Sequence, residues 1–179
     1  MRLIKIFIIM CITIIMPITG LAVADEIDGY RISSDDQISV TVFNETDLSV
    51  NKVRVSGNGA ISMPLLGQVA IEGHTLTEVE QKITTLLLEG YLKNPNVTVT
   101  ITEYRPFYIN GEIKKPGSYP YKKNLTIEKA VALAGGFTER ASRTTINLVS
   151  ENDKRIVKPV GLSDKIKPGD VITISESFF

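Results

Sequence analysis

His74 is the only imidazole and Cys11 the only thiol among 179 residues. A general base, a nucleophile or a metal site needs partners at defined spacing, and one residue of each type cannot supply them. His74, just ahead of a helix start, reads as a polar turn residue. Asp35 and Asp36 are two carboxylates side by side, but neighbours ahead of a strand point apart, and Asp suits turns. Gly57-x-Gly59 precedes a strand rather than a helix, so it cannot cradle a phosphate on a helix amino terminus. The chain has no Gly-x-Ser-x-Gly elbow. These residue types propose no catalytic, cofactor-binding or metal-binding set, and the chain is expected not to be an enzyme.

Binding chemistry is better represented. Lys114-Lys115 and Lys122-Lys123 flank Pro116-Gly117, with Tyr119 and Tyr121 between them. Four ammoniums alternating with aromatic rings could hold an anionic sugar polymer, the Tyr faces stacking on pyranose rings. The same pattern also suits a solvated turn whose strand edges are protected by Lys.

Charge is balanced over the whole, with 20 basic and 20 acidic side chains, which does not suggest a nucleic-acid partner. It is not balanced locally. Residues 25–103 carry 5 basic and 12 acidic groups, and residues 104–179 carry 13 basic and 8 acidic. In a head-to-tail ring the acidic part of one subunit could meet the basic part of the next. A hydrophobic content of 43% against 22% charged excludes bulk disorder.

Arg2 and Lys5 precede an apolar run from Ile6 to Ile18, which is followed by Ala22-Val23-Ala24. This is the pattern of a secretory signal peptide cleaved between Ala24 and Asp25. A membrane anchor is the alternative, but the run falls short of the roughly 20 residues that span a bilayer, and Pro17 interrupts it. Cys11 follows Ile8-Ile9-Met10, without the small residues of a lipoprotein site. The expectation is an exported, periplasmic chain that is not a lipoprotein.

The elements that must position these residues follow from periodicity. Ile38, Val40 and Val42 alternate with polar neighbours over 37–43, a half-buried strand. Strands carrying Val50-Val53-Val55 and Ile61-Met63 flank Ser56-Gly57-Asn58-Gly59, suited to a hairpin turn; Gln68–Ile71 is another strand. Thr75-Leu76-Thr77-Glu78 fits a capping box, and Leu76, Val79, Ile83, Leu86 and Leu87 share one helix face up to Gly90. Val97, Val99 and Ile101 alternate again.

From about Tyr104 a second unit opens with a strand over 107–110. Lys115-Pro116-Gly117-Ser118 is expected to form a type II turn. Thr126 caps a short helix with Ile127, Val131 and Leu133 inward, stopped by Gly135-Gly136. Strands are expected at Thr144–Val149, Arg155–Val157 and Val171–Ser175, the last capped by Phe178-Phe179. The class is α+β: two small mixed β-sheet modules, each with a covering helix.

Several of these segments resemble a known family. Tyr30-Arg31-Ile32-x3-Asp36 with Ile38–Phe43, Val53-Arg54-Val55-x3-Gly59-x-Ile61-x-Met63-Pro64-Leu65-Leu66-Gly67, and Asn94-Pro95-x-Val97-x-Val99 resemble the polysaccharide export domain. Ile109-Asn110-Gly111-Glu112-Ile113-x2-Pro116-Gly117-x-Tyr119, Ala134-Gly135-Gly136-Phe137 and Ile166-x-Pro168-Gly169-Asp170 resemble the β-grasp soluble-ligand-binding (SLBB) domain that follows it. With the signal peptide read over 1–24, the resemblance implies boundaries of 25–103 for the export domain and 104–179 for a β-grasp-like SLBB domain. It also implies a non-enzymatic component of capsule or exopolysaccharide export, without cofactor. Such a component forms or adapts a ring-like homo-oligomeric conduit, with polysaccharide as cargo. Long members of the family form the outer-membrane pore with a carboxy-terminal helix that this sequence does not show, so the expectation is a short-type protein whose partners are an inner-membrane polysaccharide co-polymerase and a separate outer-membrane β-barrel. A monomeric periplasmic glycan- or small-ligand-binding module is the alternative. Ser34-Asp35-Asp36 departs from the family's usual Pro-Gly-Asp.

Overall fold

The computed structural model describes residues 29–151 and 153–177. The expected leader with its cleavage point at Ala24 and Asp25, and the terminal Phe178-Phe179, lie outside the described residues.

The chain builds two hydrophobic cores in sequence order. In the first, β1 (Gln37–Val42) lies between β2 (Val50–Arg54) and β5 (Val97–Glu103), both antiparallel to it. Ile38, Val40 and Val42 turn inward to meet Val97 and Val99, as the period of two requires. A separate hairpin, β3 (Ala60–Met63) with β4 (Gly67–Ala70), adds Ile61, Met63 and Val69 to the same core. Helix α1 (Leu76–Leu88) covers it with Val79, Ile83 and Leu87. The capping box forms in full: the Glu78 amide donates to Thr75 Oγ1 at 3.2 Å, and the Thr75 amide donates to Glu78 Oε2 at 2.8 Å. Glu80 of α1 also accepts from the Val99 amide at 2.8 Å, so the helix satisfies a donor on the outer edge of β5.

The second core lies under a five-stranded mixed sheet, β7-β6-β10-β8-β9. Its strands are β6 (Phe107–Gly111), β7 (Gly117–Tyr119), β8 (Ala141–Ser150), β9 (Asp153–Val160) and β10 (Val171–Glu176). β10 runs parallel to β6 and antiparallel to β8. Helix α2 (Ile127–Leu133) packs on it, with Thr126 Oγ1 accepting from the Lys129 amide at 3.4 Å. The α+β class therefore holds, with two small sheet systems and one helix on each. No helix among the described residues is long and apolar enough to cross a membrane.

Three local expectations are corrected. Ser56–Gly59 does turn, with the Gly59 amide donating to Ser56 O, but β2 and β3 do not continue as a hairpin. The Gly59 carbonyl is taken by the amides of Ile71 and Glu72, which draws β3 onto β4 instead. Pro116-Gly117 is not a type II reversal: Gly117 and Ser118 already belong to β7, opposite Ile109 and Tyr108. The excursion before them is held by α2, since the amides of Lys114 and Lys115 donate to the carbonyls of Gly136 and Ala134, each at 3.0 Å. Leu133 is 51% exposed, because the buried stripe of α2 runs Ile127, Ala130, Val131, Ala134 and Leu133 lies off that face.

Candidate functional site

Tyr104, Arg105 and Pro106 carry the chain from β5 to β6 and thus from one core to the other. Arg105 is only 7% exposed, unusual for a guanidinium, and the reason is its partners. Its Nη1 donates to Asp36 Oδ2 at 3.2 Å and to the Tyr30 hydroxyl oxygen at 2.7 Å. Its Nε pairs with Glu151 Oε2, and its backbone amide donates to Asp36 Oδ1 at 2.9 Å. Asp36 is fully buried and takes two further donors, the Tyr30 hydroxyl at 2.6 Å and the Ser33 amide at 2.9 Å. Burial, then the bond to Asp36, holds the Tyr30 hydroxyl far above the ordinary tyrosine range, so it stays a donor. Arg105 thus ties Asp36, at the entry to β1, to Glu151, at the end of β8.

The loops that present the two buried aspartates are built alike. In Ser33–Asp36 the Asp36 amide donates to Ser33 O, and its carboxylate accepts back from the Ser33 amide. In Lys167–Asp170 the Asp170 amide donates to Lys167 O at 3.3 Å, and Asp170 Oδ2 accepts from the Lys167 amide at 2.7 Å. The third residue is left-handed in both, with φ of 70° at Asp35 and 83° at Gly169. Ser34-Asp35-Asp36 therefore keeps the geometry of a Pro-Gly-Asp turn, with an L-residue in the glycine position. Asp35→Gly is expected to stabilise the fold by about 0.5 kcal/mol, the relief of left-handed strain exceeding the added chain entropy. The substitution keeps the Asp35 amide bond to Val55 O and the Arg54 bond to Asp35 O. Urea denaturation checks it.

Burial raises the Asp170 carboxyl, while the Lys167 amide, Ser150, the Lys167 ammonium and the Glu151 amide pull it part of the way back. Its Oδ1 meets no neighbour among the described residues at full hydrogen-bond geometry. An acid raised in the folded state contributes most when protonated. Its contribution is complete below the unfolded value of 3.8 and is lost as pH rises through the folded value. Relative to Asp170→Asn, wild-type stability is thus expected to fall between strongly acidic and neutral pH, which denaturation at a series of pH values reads directly.

Between the two cores lies a cleft of about 620 Å³, lined from both sides. Tyr30, Tyr104 and Tyr121 form a chain of edge-on contacts along it, with ring centroids 5.1 and 5.4 Å apart. Arg31 stands on one side, and Lys123, Lys165 and Lys167 on the other.

The residues singled out in the sequence are distributed unequally around this cleft. Tyr121 and Lys123 line it, whereas Lys114, Lys115, Tyr119 and Lys122 do not. Lys114 and Lys115 stand beside the Gly135-Gly136 end of α2, and the Lys122 carbonyl accepts from the Leu125 amide. Tyr119 stacks on Phe107 at 5.8 Å and donates its hydroxyl to Lys115 O at 2.7 Å. His74 is a turn residue, its Nδ1 3.0 Å from the Glu72 carbonyl. Reading Asp36 as a turn residue missed its bond to Arg105, 69 positions away. The available signal was the paired occurrence of Asp35-Asp36 and Gly169-Asp170, each just ahead of a strand.

Comparison with known proteins gives two matches in order. Residues 24–102 match the family described as polysaccharide biosynthesis/export protein, and residues 106–158 match the SLBB domain. The exopolysaccharide production protein ExoF of Rhizobium meliloti is 33% identical over 88% of this chain and 42% of ExoF. The EPS I polysaccharide export outer membrane protein EpsA of Ralstonia solanacearum is 26% identical over 80% of this chain and 45% of its own. The polysialic acid transport protein KpsD of Escherichia coli is 25% identical over 78% of this chain and 25% of its own. The chain spans less than half the length of these relatives.

Proposed function

The chain belongs to the polysaccharide biosynthesis/export protein family, with an export module followed by an SLBB domain, and on that premise we propose that it is a non-enzymatic periplasmic component of a polysaccharide export machine. In this reading it forms or adapts a ring-like conduit between an inner-membrane co-polymerase and an outer-membrane barrel. The observation that carries the reading is the ordered pair of modules joined through one buried guanidinium. A conduit subunit must present its surfaces at a fixed mutual angle, because a ring closes only if every interface repeats the same rotation. A lock at Arg105 supplies that constraint, where a flexible linker would not. The expected result in native mass spectrometry is a defined higher oligomer, formed by the chain alone or on adding the co-polymerase's periplasmic domain. Deletion of the gene is expected to abolish polymer secretion while polymer synthesis continues. A monomer under both conditions, with one saccharide bound per chain, would favour the glycan-binding module, the reading the tyrosine-lined cleft supports.

A further inference from the structure

We propose that the cleft between the two modules is a binding site for an acidic saccharide, with Lys123 and Lys167 taking the sugar carboxylate and Tyr104 and Tyr121 supporting the ring. The volume of about 620 Å³ lies in the range of small-ligand sites, and the walls come from both modules. The cations along the cleft are not equivalent. Arg31 is spent on Glu78 Oε2, at 3.3 Å, and on the Gly73 carbonyl. Arg105 is spent on Asp36, Tyr30 and Glu151. Lys123 and Lys167 make no side-chain hydrogen bond or close ion pair among the described residues, the Lys167 charge acting on the buried Asp170 only at longer range, and both are exposed. Three acids share the lining: Glu151 shares the Arg105 guanidinium with Asp36, Asp170 is buried and accepts from the Lys167 amide, and Glu72 is exposed and accepts from Ser33 Oγ at 3.0 Å. Among the described residues, the exposed ammoniums of Lys123 and Lys167 thus outnumber Glu72, the exposed carboxylate of the lining, and leave this surface with a positive surplus.

The aromatic part of the site is already ordered. Tyr104 is held edge-on between Tyr30 and Tyr121, so its ring is fixed before any ligand arrives, and little side-chain freedom is lost on binding. Half-buried tyrosines offer an apolar face with a polar rim, which suits the C–H face and hydroxyls of a pyranose. Ammoniums on flexible stems suit a carboxylate whose position varies along a polymer. The choice of a saccharide rests on the export reading; the sign of its charge rests on the cleft alone.

Isothermal titration of the purified chain with oligogalacturonate, oligomannuronate and a neutral malto-oligosaccharide of equal length tests the site, and monomeric galacturonate separates capture of a free sugar from capture of a polymer segment. At least one acidic oligomer is expected to bind about tenfold more tightly than the neutral one, and the Lys123→Gln/Lys167→Gln pair to remove that preference. Lys114→Gln/Lys115→Gln, outside the cleft, is expected to leave it unchanged, and thermal unfolding confirms that each variant folds. Equal affinity for neutral and acidic oligomers, no binding of either acidic oligomer, or a loss that follows Lys114 and Lys115 instead would overturn the proposal. Secretion of polymer in the deletion strain separates the two readings. If deletion stops export while the cleft binds nothing, the site fails and the export reading stands; if export continues without the protein, the export reading fails.

Discussion

Arg105→Ala is expected to lower the unfolding free energy by about 3 kcal/mol and to split one unfolding transition into two. The loss is large because of what stays behind. Asp36 remains buried, keeping the Ser33 amide, the backbone amide of residue 105 and the Tyr30 hydroxyl as donors but losing the guanidinium that pairs with it. The Tyr30 hydroxyl loses the donor at its oxygen, and Glu151 loses its ion pair. The split follows from the architecture, since the two hydrophobic clusters share no buried residue. Arg105→Lys is expected to recover only part of the loss, because one ammonium cannot reach three acceptors that a planar guanidinium serves together. Far-UV circular dichroism in urea measures both effects. A single transition at an unchanged midpoint would show that the modules are held together by something else.

Gly169→Ala is expected to cost about 3 kcal/mol, combining left-handed strain with damage to the same lock. At φ 83° an added Cβ would run into the Glu151 carboxylate and come within 2.9 Å of Arg105 Nε. Glu151 can move aside only by giving up Arg105. The two contributions separate in a Glu151→Ala background, where the cost of Gly169→Ala should shrink to the backbone part, about 1–2 kcal/mol. An equal penalty in both backgrounds would remove the clash from the account. Asp35→Gly reports on the equivalent position of the first turn with the opposite sign, so the pair tests whether the two loops are one device used twice.

Most of the local architecture was legible along the chain because its causes are local. The alternation of Ile38, Val40 and Val42 dictates which side of β1 is buried, and Thr75 with Glu78 closes α1 at its amino end within one turn. The identity of the two modules came instead from the resemblance of their Gly-, Pro- and Asp-containing motifs to a known family. Partner choice was not legible. Ser56–Gly59 carries hairpin chemistry, yet β3 pairs forward with β4, because the Gly59 carbonyl is claimed by amides a dozen residues downstream. Leu133 was placed inward by hydrophobicity alone, but helical phase puts Ala130 and Ala134 there instead.

The candidate site divides along the same line. Composition alone determined that one histidine and one cysteine cannot assemble a multi-ligand Cys/His metal centre, and it offered lysines and tyrosines as groups for binding. Which of them act together was decided only by the tertiary structure. Tyr121 and Lys123 reach the cleft, while Tyr119, two residues away, turns its ring onto Phe107. Lys167 joins Lys123 from a loop more than 40 residues downstream. The physical reason is one of range. Backbone hydrogen bonding and side-chain period act over a few residues, whereas a buried charge must find its counter-charge wherever the fold brings one. Asp36, Arg105 and Glu151 are far apart in the chain, and their pairing sets how the two modules meet and thus which lysines and tyrosines face each other across the cleft.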